Sequence, residues 1–260
     1  MAEIHIPTLA PEALFHLGPV TVTNTMINAW LAIIIFLVIG IVISRSAKLR
    51  PGKFQNGIEH IIEILFGYFD QVTGDRTKTR RFFPLVGSIF FFILLSNWLG
   101  LLPGTGSIMV GHHMLLRPAN TDLNLTAAMA IVAVIASHIY AFAAIGVFTH
   151  LGKFVQLKQL VMSVKKGPMG IFSALIEFAV GLLEIISEFA KMLSLSLRLF
   201  GNIFAGEVLI SVISALAIAL VPTPFMMLEL LVGLIQASVF AMLTLVYLTL
   251  ASEAPHGAEH

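Results

Sequence analysis

The chain contains no cysteine, which rules out disulfides, thiolate nucleophiles and cysteine-held metals. Charge is scarce too: Asp, Glu, Lys and Arg make up 11% of the residues, against about 25% in soluble domains. The formal net charge is only +1, so there is no basic excess to draw nucleic acid. No phosphate-cradling glycine loop and no nucleophile–base pairing occurs, so the chain alone is read as no enzyme. His112 and His113 are adjacent but lack a third ligand at metal spacing, so neither a metal nor a cofactor is expected. Met1 to Val22 holds no Lys or Arg but three prolines. It lacks the basic start of a signal peptide and the Arg-rich character of a transit peptide, and is expected to be mature sequence. No inverted repeat of the transporter kind is visible.

What is present is apolar sequence, 58% of the residues, in runs that reach the ~20 residues a bilayer-spanning helix needs. The expected class is an all-α polytopic membrane protein of about five membrane-crossing helices plus one surface amphipathic helix. Residues 1–23 form an outer N-terminal segment, and the first span is residues 25–44, with Trp30 at an interface position. Over residues 54–81, Ile58, Ile61, Ile62, Leu65 and Phe69 recur at helical spacing among Glu59, His60, Glu63 and Asp70. That pattern predicts a surface helix on the cytoplasmic side, stopped by Thr73-Gly74-Asp75.

Spans are expected over residues 82–102 and 123–148, the second capped by Thr121, Asp122 and Asn124. Residues 169–221 are too long to stand upright, because about 50 residues at ~1.5 Å each far exceed the ~30 Å apolar core. This segment must tilt or begin along the inner surface. Val221-Pro222-Thr223-Pro224 breaks it, residues 225–250 cross back, and residues 251–260 form a tail. The last two helices thus make a long tilted hairpin within a single membrane domain.

The distribution of basic residues orients this layout. Of the 15 Lys and Arg, one group is Arg45, Lys48, Arg50, Lys53, Arg76, Lys78, Arg80 and Arg81, and a second is Lys153, Lys158, Lys165 and Lys166. The opposite loop holds Arg117, and Lys191 and Arg198 fall inside the apolar run. By the positive-inside rule the N-terminus lies outside and the C-terminus in the cytoplasm.

Arg198 is the residue around which the rest can be read. A guanidinium deep in an apolar layer costs at least ~2.5–3.5 kcal/mol on insertion scales, and it cannot shed its proton. Glu184, Lys191 and Arg198 are seven apart, so on a helix they share one stripe. Asn202, four residues on, joins that face. Ser194, Ser196, Gly201 and Gly206 are small positions that admit a close partner. Glu207 lies about 180° round the helix from Arg198 and ~13 Å further along. In an antiparallel hairpin, Glu229 comes level with Glu207, and Gln236 comes level with Arg198.

This placement suggests two polar clefts of different depth. Glu207 and Glu229 would line the outer one, and Glu188, Glu184 and Glu177 the inner one, with Arg198 between. Buried carboxylates of this kind can relay protons. Internal charge pairing that fixes the fold is the competing reading of these residues. For Glu184 and Lys191 a structural pair is the favoured one, and Gln236 fits a helix–helix hydrogen bond as well as a functional contact. His138, mid-span and alone, reads as packed and neutral.

Ser194-Leu195-Ser196-Leu197-Arg198-Leu199-Phe200-Gly201-Asn202-Ile203-Phe204-Ala205-Gly206-Glu207 resembles the signature of the subunit a family of F-type ATP synthases. Further resemblances are Asn97-Trp98-Leu99-Gly100-Leu101-Leu102-Pro103, Pro118 to Thr126, Gln236-Ala237, and Tyr247-Leu248 through Ala251. The resemblance implies that Arg198 is the stator arginine facing a ring of c subunits, each bringing one carboxylate. Glu207 and Glu229 match the family's outer half-channel pair, Asn202 and Gln236 its polar positions near the arginine, and Glu184 an inner acid. Glu177 and Glu188 are less typical.

The implied partners are the c-ring, the b-subunit peripheral stalk, the rest of the synthase and the lipid bilayer. The implied ion is H⁺, with Na⁺ as the alternative, and the implied setting is a bacterial cell inner membrane. ATP chemistry would belong to other subunits. A stand-alone secondary transporter, with Arg198 binding an anionic substrate, is the alternative function, and the lack of repeats and broken helices weighs against it.

Overall fold

Among the described residues, five helices are long and apolar enough to cross a membrane. The computed structural model describes residues 8–46, 52–102, 109–110, 113–147, 168–216 and 221–252. The second basic group, Lys153 to Lys166, the ends of the expected spans at 148 and 217–220, and the tail beyond Ser252 lie outside the described residues, as do Lys48 and Arg50.

The chain opens with an antiparallel hairpin, β1 (Ala13–Leu17) and β2 (Val20–Thr23). The residues turning it include Gly18, whose φ of 61° favours glycine. Alternation such as Val20-Thr21-Val22-Thr23 is the available strand signal, and it is too short to stand out beside the apolar runs. Helix α1 (Asn24–Ser46) follows directly. Most of it is apolar all round, with Ile33, Ile34, Leu37, Val38, Ile41 and Val42 exposed, as a lipid-facing helix requires. It is held chiefly at its first turns, where Asn24, Thr25, Asn28, Ala29 and Ala32 are buried. Further along, Phe36 stacks on Phe91 at 6.1 Å.

Helix α2 (Lys53–Thr73) is the amphipathic one, burying Leu65 and Phe69. It stops at Gly74, whose left-handed φ of 66° turns its N–H back to the Asp70 carbonyl at 2.9 Å. Helix α3 (Arg76–Leu101) starts at once, with the Asp75 carboxylate accepting from the Thr77 N–H at 2.7 Å. The expected boundary at residue 81 therefore shifts. The basic run Arg76 to Arg81 does not extend the surface helix but forms the first turns of the spanning one, because the Asp75 cap restarts the helix five residues before the apolar stretch begins. Arg76 closes the elbow, donating Nη1 to Asp70 at 2.7 Å and Nη2 to Glu63 at 2.7 Å, with its guanidinium 4.3 Å over the Phe66 ring.

Beyond α3 come two short paired strands, β3 (Met109–Val110) and β4 (His113–Met114), and a 3₁₀ turn at Ala119–Thr121. Helix α4 (Leu123–Ile145) is capped by Asp122, which accepts from the Asn124 N–H at 2.8 Å. Helix α5 (Pro168–Leu216) runs 49 residues, about 73 Å at the α-helical rise. Helix α6 (Pro222–Ser252) returns antiparallel after the proline break. The fold is thus all-α in its spans, five crossings and one amphipathic helix, with two minor hairpins outside them.

Helix α6 is the central element: α2, α3, α4 and α5 all pack against it. Phe82, Val86, Phe90 and Ile93 of α3 and Leu195, Leu199 and Ile203 of α5 form one core with Ala237, Phe240, Ala241, Leu245 and Leu248 of α6. In lipid the drive for helices to meet is packing and hydrogen bonding rather than escape from water, and at the hairpin end the two act together. There a Cβ on Gly100 would overlap Pro118, and Gly233 brings its helix against Asn97. Asn120 donates to Asn97 Oδ1 at 2.7 Å, Asn28 to the Arg117 carbonyl at 2.7 Å, and Trp98 Nε1 to the Leu230 carbonyl at 3.1 Å. This belt of amides fixes α1, α3, α6 and the 3₁₀ turn in one register, and the register sets the depth of the residues below.

Replacing Asp75 by Ala removes the side-chain N-cap of α3. We expect a loss of about 1 kcal/mol, read as a lower thermal unfolding midpoint of the detergent-solubilised chain. An unchanged midpoint would mean that the Arg76 bridges alone hold the elbow.

Candidate functional site: a polar seam along the last two helices

The polar side chains of α5 fall into three layers. The middle layer holds Arg198. Its Nη2 donates to Ser194 Oγ one turn back at 3.2 Å. The residue is exposed on the flank of the bundle, and among the described residues it makes no ion pair. Ser194 and Ala205 are exposed beside it, and a Cβ on Gly201 would meet open space. The flank carrying the arginine is therefore smooth and narrow, as helix–helix contacts in membranes favour. Behind it, Asn202 Nδ2 donates to Gln236 Oε1 at 2.7 Å. Gln236 is 3% exposed, and its Nε2 has no partner among the described residues. The structure thus joins Asn202 and Gln236, and leaves Arg198 open.

The layer at the hairpin end lies about 13 Å along α5 from Arg198 by helical rise. Here the structure reveals a residue that sequence reasoning treated as a loop charge. Arg117 is only 5% exposed. Its Nε donates to Glu207 Oε1 at 2.8 Å and its Nη2 to Glu207 Oε2 at 2.9 Å, a two-pronged pair. The rest of the fork donates to backbone carbonyls before the β hairpin, Nη2 to Thr8 at 2.8 Å and Nη1 to Ala10 at 3.3 Å. Only its position as the one Lys or Arg of that loop, between Leu116 and Pro118, could have flagged it. Glu229 of α6 is 7% exposed and lies against Gly206, where a Cβ would overlap its carboxyl group. Glu207 and Glu229 are therefore brought to neighbouring positions on facing helices.

The layer toward the elbow end lies about 15 Å along α5 on the other side of Arg198. Lys191 Nζ donates to Glu188 Oε1 at 2.6 Å, and the second Glu188 oxygen is 3.6 Å from His138 Nε2 of α4. Lys191 also sits 5.3 Å from the centre of the Tyr247 ring of α6. The expected Glu184–Lys191 pair is corrected. Seven residues put the two on one stripe but about 10 Å apart along the axis, whereas Glu188 at i−3 is within reach. Glu184 is exposed and unpaired among the described residues. His138, set aside on sequence grounds, turns out to face Glu188. The Glu177 side chain lies outside the described residues.

No cluster of three or more His, Cys, Asp or Glu residues able to hold a metal occurs among the described residues. What the seam contains is charge and hydrogen-bonding capacity at three depths in an apolar bundle. The architecture defines the class first: a multi-pass membrane protein with an intramembrane arginine flanked on either side by acids.

Comparison with known proteins refines the class. The sequence model of the ATP synthase A chain family matches residues 26–249. ATP synthase subunit a of Moorella thermoacetica is 31% identical over 238 residues, covering 92% of this chain and 94% of its own. Subunit a of Trichlorobacter lovleyi is 32% identical over 245 residues, 94% of each chain. Subunit a of Gloeobacter violaceus is 35% identical over 243 residues, 92% of this chain and 88% of its own. The chain belongs to the subunit a family of ATP synthases, and with it to the stator of that complex.

The contact between Gly206 and Glu229 yields a direct test. Gly206→Ala forces the Glu229 carboxyl aside, and overpacking of this kind costs about 1–3 kcal/mol. We expect a lowered thermal midpoint that is restored when Glu229 is shortened to Ser in the same chain. A Gly206→Ala chain as stable as the parent would contradict the packing described.

Proposed function

We propose that this chain forms the stator half of a rotary proton path, with two offset half-channels meeting at Arg198. The observation that carries the reading is the openness of Arg198. A permanent cation midway along an apolar helix, turned to the outside of its own bundle, needs an anion from elsewhere. The family supplies the natural candidate, a ring of c subunits whose carboxylates pass in turn. The small residues beside Arg198 suit close passage of a ring helix.

In this reading a proton enters at the hairpin end through Glu207 and Glu229 and is handed to a ring carboxylate. After the ring has turned, the carboxylate meets Arg198, releases its proton toward the elbow-end layer of Glu188, Lys191 and His138, and moves on as the anion. The guanidinium favours that anion because opposite charge stabilises the ionised acid. It also repels a proton that would cross directly between the two clefts, an effect strengthened in a low-dielectric layer. Asn202 and Gln236 hold the α5–α6 pair in register beside it. Glu184, exposed on the same side, suits the inner mouth, and Glu177 would lie further along it.

The chain acts without cofactor or catalysis of its own, ATP chemistry residing in other subunits. Its partners would be the c-ring, the b-subunit peripheral stalk and the remaining synthase subunits. The basic groups support an orientation with the hairpin end outside and the C-terminus in the cytoplasm, and the membrane proposed is a bacterial inner membrane. H⁺ is the ion proposed, with Na⁺ as the alternative.

Arg198→Ala in the assembled complex is expected to abolish proton-driven ATP synthesis in membrane vesicles while the c-ring still co-purifies. Arg198→Lys is expected to fail as well, because a buried ammonium can lose its proton where a guanidinium cannot. Full coupling in Arg198→Ala would overturn the reading. Substrate uptake by the purified chain alone in liposomes would favour a stand-alone transporter instead.

A further inference from the structure

The two acids of the hairpin-end layer are not equivalent. Glu207 has both oxygens engaged by one guanidinium. Glu229 Oε1 is buried with no hydrogen-bond partner among the described residues. We propose that Arg117 is a positioning residue for the outer proton path: it holds Glu207 as a fixed anion, and Glu229 is the member of the pair that takes up the travelling proton. The inference rests on the stator reading above and divides the work of the two acids within it.

The geometry supports the division in three ways. First, the Arg117–Glu207 contact is a charge-assisted fork, a strong form of side-chain hydrogen bonding, and protonating Glu207 would forfeit that charge assistance. Second, Arg117 is anchored independently of Glu207. Its remaining donors engage the Thr8 and Ala10 carbonyls, its ring neighbour is Phe204 at 5.9 Å, and its own carbonyl accepts from Asn28 at 2.7 Å. A side chain tied at both ends does not swing away as each proton passes. Third, a buried carboxyl oxygen without a partner is costly unless something visits it. Glu229 Oε1 is such an atom, held beside Gly206 because no Cβ stands in its place. Proton uptake forms an O–H bond there, and release to the next acceptor returns the carboxylate. Glu207 then acts as the neighbouring negative charge that draws the proton inward, and it acts only while Arg117 keeps it in place.

The test uses the whole complex in membrane vesicles, with proton flux driven from the outer side and c-ring co-purification as the control for assembly. Because Arg117 acts through Glu207, Arg117→Gln and Glu207→Gln should each lower flux roughly tenfold, within the range for contacting residues. The double variant should be no worse than either one. Arg117→Lys should recover part of the flux. Glu229→Gln should stop it far more completely, and no change at Arg117 should restore it.

Multiplying effects in the double variant would overturn the proposal, as would wild-type flux in Arg117→Gln. Loss of c-ring co-purification in Arg117→Gln would also overturn it, since the pair would then belong to folding. So would a greater loss in Glu207→Gln than in Glu229→Gln. Arg198→Ala, run alongside, separates the two levels: if that variant stays coupled the stator reading itself fails, and if it does not, only the division of labour is at issue.

Discussion

Everything in this structure answers to the difficulty of keeping a guanidinium in an apolar layer. Unlike an ammonium or a carboxylic acid it has no neutral form to retreat to, so it must be matched by protein atoms. The bundle contains two such groups and treats them in opposite ways. Arg117 is enclosed, with Glu207 and two backbone carbonyls taking its donors. Arg198 has one hydroxyl and an open flank. A chain able to satisfy one arginine so fully has the means to satisfy the other, and the contrast is the observation that supports the proposed partner of Arg198 outside the chain.

The helices around these arginines are placed by short polar contacts more than by apolar burial. Lipid tails solvate leucine as well as another helix does, so packing specificity must come from close approach and hydrogen bonds. The amides Asn28, Asn97 and Asn120 and the indole of Trp98 supply the bonds, while Gly100, Gly206 and Gly233 supply the approach. These contacts gather at one end of the bundle. The long α5 is therefore clamped near Glu207 and, through Thr126 and Ser196 at 3.3 Å, near Arg198, whereas its earlier turns around Phe178 to Ile186 present mostly exposed apolar side chains. The depth of Arg198 relative to Gln236 follows from that clamp.

Much of this was legible in the residues, and the exceptions share a cause. A helix whose apolar residues wrap its whole circumference announces itself by length, which is why the spans could be read. The stop at Thr73-Gly74-Asp75 was legible because αL glycine and Asp capping are local. Arg198, Glu207 and Glu229 stood out because charge is so rare around them. What could not be read depends on distant contacts. Arg117 and Glu207 are 90 positions apart, and a single basic residue in a loop has the same appearance whether solvated or clamped. The Lys191 partner was misassigned because sharing a stripe says which face a residue occupies, not whether a side chain can cover the distance. His138 was passed over since only the packing of α4 on α5 turns it to Glu188.

The open flank also bears on why a moving partner suits this site better than a fixed one. At about 4 Å, opposite charges attract by ~4 kcal/mol at an effective dielectric of 20, and by more as the surroundings dry. An acid of the same chain held at that distance would remain paired, as Glu207 remains with Arg117, and an arginine so paired is not free to meet a newcomer. The chain instead places its own acids about 13–15 Å away along α5 on either side, where attraction at the same effective dielectric falls to about a third of its value at 4 Å. At that remove neither resident acid becomes the arginine's permanent partner, and in the proposed rotary path the same spacing leaves both layers within reach of a carboxylate travelling on a neighbouring helix.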